Sequence, residues 1–167
     1  SGLSALDQNR LLLVGDGAAL SSDAGETFDR ASGKIARARL TAADVAPGAV
    51  FAYGPRAIFK STDQGGHWKA VKTPKRRAVA DLDFVGRNIG YLVDTRGVLW
   101  KTTNGGSLWA QLPVGQLGFG VAFSNLLDGY VAVGSFGTTA GGLVMKTSDG
   151  GRSWHPQLVS RDQIAAL

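Results

Sequence analysis

The chain has no cysteine, one methionine, two histidines and five prolines in 167 residues. Without cysteine there is no disulfide and no thiolate nucleophile or ligand, although the compartment stays open, because many exported proteins also lack cysteine. Glutamate is almost missing too, Glu26 being the only one. No apolar window is long enough to span a bilayer, so the chain reads as soluble. No secretory leader is visible, and Ser1-Gly2 fits a mature terminus or a cloning scar equally well. The two histidines, His67 and His155, have no metal-ligand spacing. No metal site and no cofactor are expected.

Glycine, by contrast, is abundant at 24 residues, set among short Val/Leu/Phe/Tyr/Trp runs. That mixture predicts frequent turns between short strands. Eighteen Lys+Arg against 13 Asp+Glu leave a formal charge of +5, which favours acidic partners in general.

One eight-residue pattern recurs four times, at Ser21–Phe28, Ser61–Trp68, Thr102–Trp109 and Thr147–Trp154. Each copy has a hydroxyl residue, an Asp or Asn two places on, a glycine two beyond that and an aromatic three later. The sets are Asp23, Gly25, Phe28; Asp63, Gly65, Trp68; Asn104, Gly106, Trp109; and Asp149, Gly151, Trp154. A period of roughly 40–45 residues with four strands per unit is the mark of β-propeller blades. The expected fold is therefore all-β, built from blades of four antiparallel strands. A single domain spans 1–167, with blades at about 1–32, 33–73, 74–113 and 114–160. Residues 161–167 are a tail or the start of a further strand. The third blade reads as strands Ala80–Val85, Gly90–Asp94, Val98–Thr103 and Trp109–Leu112. The fourth is lengthened by a loop at Ser135–Gly141. Four blades allow a closed small ring, a piece of a larger ring, or a ring completed by two copies, and the piece of a larger ring is favoured.

Turn chemistry alone accounts for the recurring residues. The Asp or Asn accepts backbone N–H groups of its own turn, the glycine supplies positive φ, and the aromatic pins third strand to fourth. The motif resembles the Asp-box, or bacterial neuraminidase repeat, S/T-x-D-x-G-x-T/S-W. Residues 81–109 and 120–154 are further similar to blades of the photosystem II stability/assembly factor family, in which a Gly-aromatic pair and Lys-Thr precede the box. That resemblance implies an exported, non-enzymatic scaffold, periplasmic, lumenal or extracellular, that holds an acidic or membrane-associated protein through an arginine-rich propeller face.

Strand alternation puts the recurring turns on one rim and the blade connections on the other. The positive residues fall mainly on the second rim. Arg37, Arg39, Arg56, Lys75, Arg76, Arg77 and Arg96 are the candidate partner-binding residues, weighed against the ordinary habit of solvated loops to collect Lys and Arg. Nucleic acid is disfavoured, since no aromatics interleave these cations for base stacking. Gly105-Gly106 and Gly150-Gly151 belong to hairpins, not to a phosphate-binding strand-to-helix turn.

The rival reading is a segment of a carbohydrate-active propeller. Sialidases share the Asp-box, but the Arg-Ile-Pro stretch characteristic of them is missing and Glu26 lies inside a turn. Tyr53, Tyr91 and Tyr130 sit at repeat positions that suggest core. Glycoside hydrolysis needs two separated carboxylates. Asp81 and Asp83, two apart on one innermost strand, with Asp44 a blade earlier and Asp94, are the only such set. Polar lining of a wet channel explains them more simply. No catalytic residue is assigned.

Overall fold

The computed structural model describes residues 1–134 and 143–157. The expected loop at 135–141 and the tail at 161–167 lie outside the described residues. Sixteen strands form four four-stranded antiparallel sheets among the described residues, each in chain order. The first holds β1 (Gly2–Ala5), β2 (Leu11–Gly15), β3 (Gly17–Ser21) and β4 (Asp29–Arg30). The second holds β5 (Ala42–Ala46), β6 (Ala49–Gly54), β7 (Ala57–Ser61) and β8 (Lys69–Val71). The third comprises β9 (Val79–Phe84), β10 (Gly90–Asp94), β11 (Leu99–Thr102) and β12 (Ala110–Gln111). The fourth comprises β13 (Gly118–Phe123), β14 (Gly129–Val133), β15 (Leu143–Thr147) and β16 (His155–Gln157).

The first strands are innermost. β5 packs on β1, β9 on β5 and β13 on β9, and no comparable packing joins β13 back to β1 among the described residues. The sheets thus follow one another as blades of an arc. Neither face of an inner blade meets water, which explains why β6 and β10 are buried along their whole length. Three hydrophobic clusters hold the arc together, and each lies in a seam between consecutive blades rather than within a blade. Phe51 and Ile58 meet Leu82, Phe84 and Trp100 in the second seam. Tyr91, Val93 and Leu99 meet Val121, Phe123 and Val131 in the third. Leu12 and Val14 meet Val50, Ala52 and Phe59 in the first.

Strand register aligns the repeats residue by residue. Asp44 faces Phe51, Asp83 faces Tyr91 and Ala122 faces Tyr130, so these three pairs are equivalent. The equivalent of Tyr91 in the second blade is therefore Phe51, with Tyr53 two residues further along β6. Burial also departs from the core pattern expected of the three tyrosines. Tyr91 is fully buried, whereas Tyr130 is 38% exposed, because no blade covers that side of the fourth sheet among the described residues.

Phe84 and Phe123 carry the seam geometry. Each lies flat over a glycine of its own second strand, so that a Cβ on Gly90 or Gly129 would stand 2.4 Å from the ring. Each then stacks on the aromatic of the preceding blade, Phe84 on Phe51 at 3.6 Å between centroids and Phe123 on Tyr91 at 3.4 Å. The Gly-aromatic pairs of the third and fourth blades, Gly90-Tyr91 and Gly129-Tyr130, are thereby explained. The glycine makes room for the blade's own Phe, and Tyr91 receives the Phe of the next blade.

Two blade connections contain short 3-10 turns, Gly33–Arg37 and Pro74–Arg76. Ile35 anchors the first of them in the core, at 1% exposure.

Candidate functional site

The recurring turns share one hydrogen-bond circuit. The hydroxyls of Ser21, Ser61, Thr102 and Thr147 donate to the Oδ1 of Asp23, Asp63, Asn104 and Asp149 at 2.7, 2.7, 3.0 and 2.8 Å. The same hydroxyls accept the N–H groups of Gly25, Gly65, Gly106 and Gly151 at 2.8–2.9 Å. Each Oδ1 also accepts the N–H four residues on, from Thr27, His67, Leu108 or Ser153. These bonds favour the charged carboxylates. Asp23 is lowered to about 2, chiefly by the Thr27 side chain; Asp63 is lowered chiefly by the His67 amide and Asp149 by the Ser153 side chain. The circuit is local and closed, with its donors and acceptors used on the turn itself.

The three tryptophans that end these turns also join the seam clusters, a wider role than pinning the third strand to the fourth. Within their own blades, Trp109 and Trp154 meet Phe84 and Phe123 edge-on at 6.1 Å. The Trp109 indole N–H reaches back to the Lys72 carbonyl of the preceding blade at 2.8 Å.

The innermost carboxylates are committed to the seams as well. Asp44 accepts the Phe84 N–H at 2.7 Å, and Asp83 accepts the Phe123 N–H. Asp81 accepts the Val121 N–H at 2.9 Å and the Tyr53 hydroxyl at 3.0 Å. Burial pushes Asp44 up to about 7 and raises Asp83, with neighbouring carboxylates adding to both. Tyr53 is raised by the same burial and by Asp81. Asp94 is placed elsewhere. Its side chain is fully buried and takes the N–H groups of Arg96 and Val98 and the indole of Trp100, closing the turn after β10.

The cations gather in two clefts beside the blade connections. Backbone bonds tie the connections to the turns between second and third strands, from Leu40 to Gly15, Val79 to Pro55, Thr95 to Ala78 and Gly118 to Gly97. One cleft, about 870 Å³, is lined by Arg39 and Arg56 with Asp16, Leu40, Thr41 and Pro55. There Arg39 faces Asp16 at 3.7 Å in an exposed pair, a geometry worth little in water. The other cleft, about 380 Å³, is lined by Lys75, Arg76, Arg77, Ala78, Thr95 and Arg96. Arg37 closes the 3-10 turn that precedes Arg39.

Arg77 differs from the rest of this set. Its Nε lies 3.5 Å from the buried Asp94 carboxylate, so it is drawn into the turn network, leaving Nη1 buried with no hydrogen-bond partner among the described residues. Lys75 and Arg76 are consecutive non-glycine residues at φ of +46° and +55°, a conformation that costs of order 1 kcal/mol each and persists only where surrounding structure demands it. Lys75 also caps the Trp100 ring at 5.5 Å. Sequence spacing gave no sign of this strain or of the Arg77–Asp94 pair, both of which arise where two blades meet.

Four such sheets, packed seam to seam around their first strands, are blades of a β-propeller. No family model matches the chain. It is 38% identical over 55 residues to the photosystem II stability/assembly factor HCF136, chloroplastic, of Cyanidioschyzon merolae, a match covering 32% of this chain and 13% of that protein. The solved structure of YCF48 bound to D1 peptide superposes at a TM-score of 0.66 with 16% identity, covering 95% of this chain and 53% of that one. The GH74 xyloglucanase of Xanthomonas campestris superposes at 0.65 with 16% identity, covering 90% of this chain and 29% of that one. The chain thus spans about half the length of the first of these structures and less of the other two proteins.

Proposed function

We propose that the chain is a non-enzymatic, assembly-factor-like propeller scaffold of an exported compartment. In this reading it grips an acidic protein segment with the basic rim opposite its recurring turns, and those turns are Asp-boxes acting as structural clasps. The observation that carries the reading is the cleft at Lys75, Arg76 and Arg96, where two adjacent cations are held in left-handed backbone beside a third. Strain retained at a surface loop marks function more often than chance does. Arg39, Arg56 and Arg37 extend the same positive rim toward the first blade. Clustered cations with few acids set the orientation and encounter rate of an acidic partner. The similarity to an assembly factor, and to a structure carrying a bound peptide, supports the same reading.

A carbohydrate-active role draws support only from the likeness to the xyloglucanase fold. The carboxylates it would need, Asp44, Asp81 and Asp83, each hold a backbone N–H of the neighbouring blade.

The test is binding of a fluorescent D1-type peptide and of its acid-to-amide counterpart. Affinity is expected to fall at least tenfold in Arg76→Glu/Arg96→Glu, with unchanged melting temperature, and to weaken with salt. Unchanged affinity in that variant, or release of reducing sugar from xyloglucan by the unsubstituted chain, defeats the scaffold reading.

A further inference from the structure

Three leucines stand exposed on the rim of the recurring turns, Leu108 at 74%, Leu126 at 53% and Leu127 at 54%. Leu108 occupies the place of Thr27, His67 and Ser153. Each of those side chains bonds the second carboxylate oxygen of its own turn's aspartate at 2.5–2.6 Å. Leucine has no donor for that oxygen, and Asn104 accordingly replaces the aspartate in this turn alone. The third turn thus lacks a bond that the other three make, and presents an apolar side chain in its place.

Leu126 and Leu127 belong to the turn between β13 and β14. Backbone bonds fix their equivalents in other blades. The carbonyls of Leu127, Asn88 and Asn9 each accept an N–H of the recurring turn in their own blade, from Gly150, Gly105 and Ala24. The leucine pair therefore stands where the third blade has Arg87-Asn88 and the first has Gln8-Asn9. All four of those polar residues are exposed, including the two in the third blade, which has a neighbour packed on each side. Exposure belongs to the turn position itself, whatever stands beyond the fourth blade.

Charge on this rim is uneven. The turns of the first two blades bring Asp7, Asp23, Glu26 and Asp63 against Arg10. Beside the leucines the exposed charges are arginines. Arg87 lies in the turn bonded to that of Leu108, and Arg152 in the turn bonded to that of Leu127. Lys60 and Lys101 lie beneath them, on the Arg87 and Gly150 carbonyls. The acids there are engaged, Asp128 by the Asn125 amide and Asp149 by Thr147, Ser153 and the Arg152 N–H. We infer that Leu108, Leu126 and Leu127 dip into the interface of an anionic lipid bilayer, with Arg87 and Arg152 against its headgroups. A folded partner needs a complementary groove, whereas a bilayer takes up separate apolar tips and holds them in proportion to the area buried. Cations next to those tips add the attraction of anionic lipid. The recurring turns then face the bilayer, and the basic clefts of the opposite rim face water. The inference is independent of the partner proposed for that rim.

Flotation of the chain with phosphatidylcholine vesicles containing about 30% phosphatidylglycerol tests it. Binding is expected to exceed that on phosphatidylcholine alone and to fall with salt. Leu126→Ser/Leu127→Ser and, separately, Asn104→Asp/Leu108→Thr are each expected to weaken it about tenfold. The second variant restores the bonds of the other three turns, so its melting temperature is expected to equal or exceed the parent's while vesicle binding drops. Arg76→Glu/Arg96→Glu is expected to float still, which separates this rim from the opposite one. The absence of native cysteine permits a second measurement. An environment-sensitive fluorophore on Ser107→Cys is expected to shift to the blue on vesicles, and one on Gln116→Cys to stay unchanged. Failure to float, or full binding by both leucine variants, overturns the inference. Leucine-dependent self-association without flotation also overturns it and assigns the patch to a second copy of the chain.

Discussion

The carboxylate of Asp44 accepts the backbone N–H of Phe84 at 2.7 Å across the seam between two blades. The same relation recurs one blade on between Asp83 and Phe123. These innermost acids act as clamps between strands that share no β-ladder, and they are paired with an amide at the cost of burying charge. Burial raises Asp44 from 3.8 to about 7, so its protonated form is favoured by folding.

A pH dependence follows from that shift. A carboxyl whose folded pKa lies above its unfolded value contributes stability that is full below the unfolded pKa and is lost as pH rises through the folded one. Here the window runs from about pH 4 to pH 7. Asp44→Asn keeps an oxygen for the Phe84 amide and removes the buried charge. Its melting temperature is expected to exceed that of the parent by a few degrees at pH 8 and to match it at pH 4. Parallel curves across that range would show that Asp44 titrates normally.

Gly129 is expected to tolerate no side chain. A Cβ there meets the Phe123 ring at 2.4 Å, and the ring is held from its other side by Tyr91 at 3.4 Å. Overpacking of this kind costs about 1–3 kcal/mol. Gly129→Ala is expected to lower the urea midpoint accordingly, while Gly86→Ala, which meets nothing within 4 Å, is expected to leave it in place.

Arg76 and Arg77 are adjacent in sequence and are expected to respond oppositely. Arg77→Ala strips the buried Asp94 carboxylate of its cation, a loss of about 3 kcal/mol for a buried pair broken on one side. Arg76→Ala is expected to leave denaturation unchanged and to weaken capture of an acidic peptide. Equal stability of the two variants would place Arg77 in solvent with its neighbour.

Local pattern was sufficient for the blades. Alternating apolar runs bounded by glycine turns located the four strands of the third blade to within one residue at each end, because a hairpin is held by bonds between segments close in sequence. It misjudged Tyr130, since equal positions in a repeat have equal environments only where a neighbour stands on both sides. It also treated Arg77 as one more rim cation, because its partner Asp94 lies in a different turn, seventeen residues along the chain.

The four-strand unit, its period and the closed circuit of Ser/Thr, Asp/Asn and Gly in each turn were determined by sequence alone, since every atom involved lies within a few residues. Tertiary structure decided the rest. Which aspartates clamp and which aromatic receives which phenylalanine depend on contacts about forty residues apart. Such contacts exist only after one twisted sheet has been laid against the next.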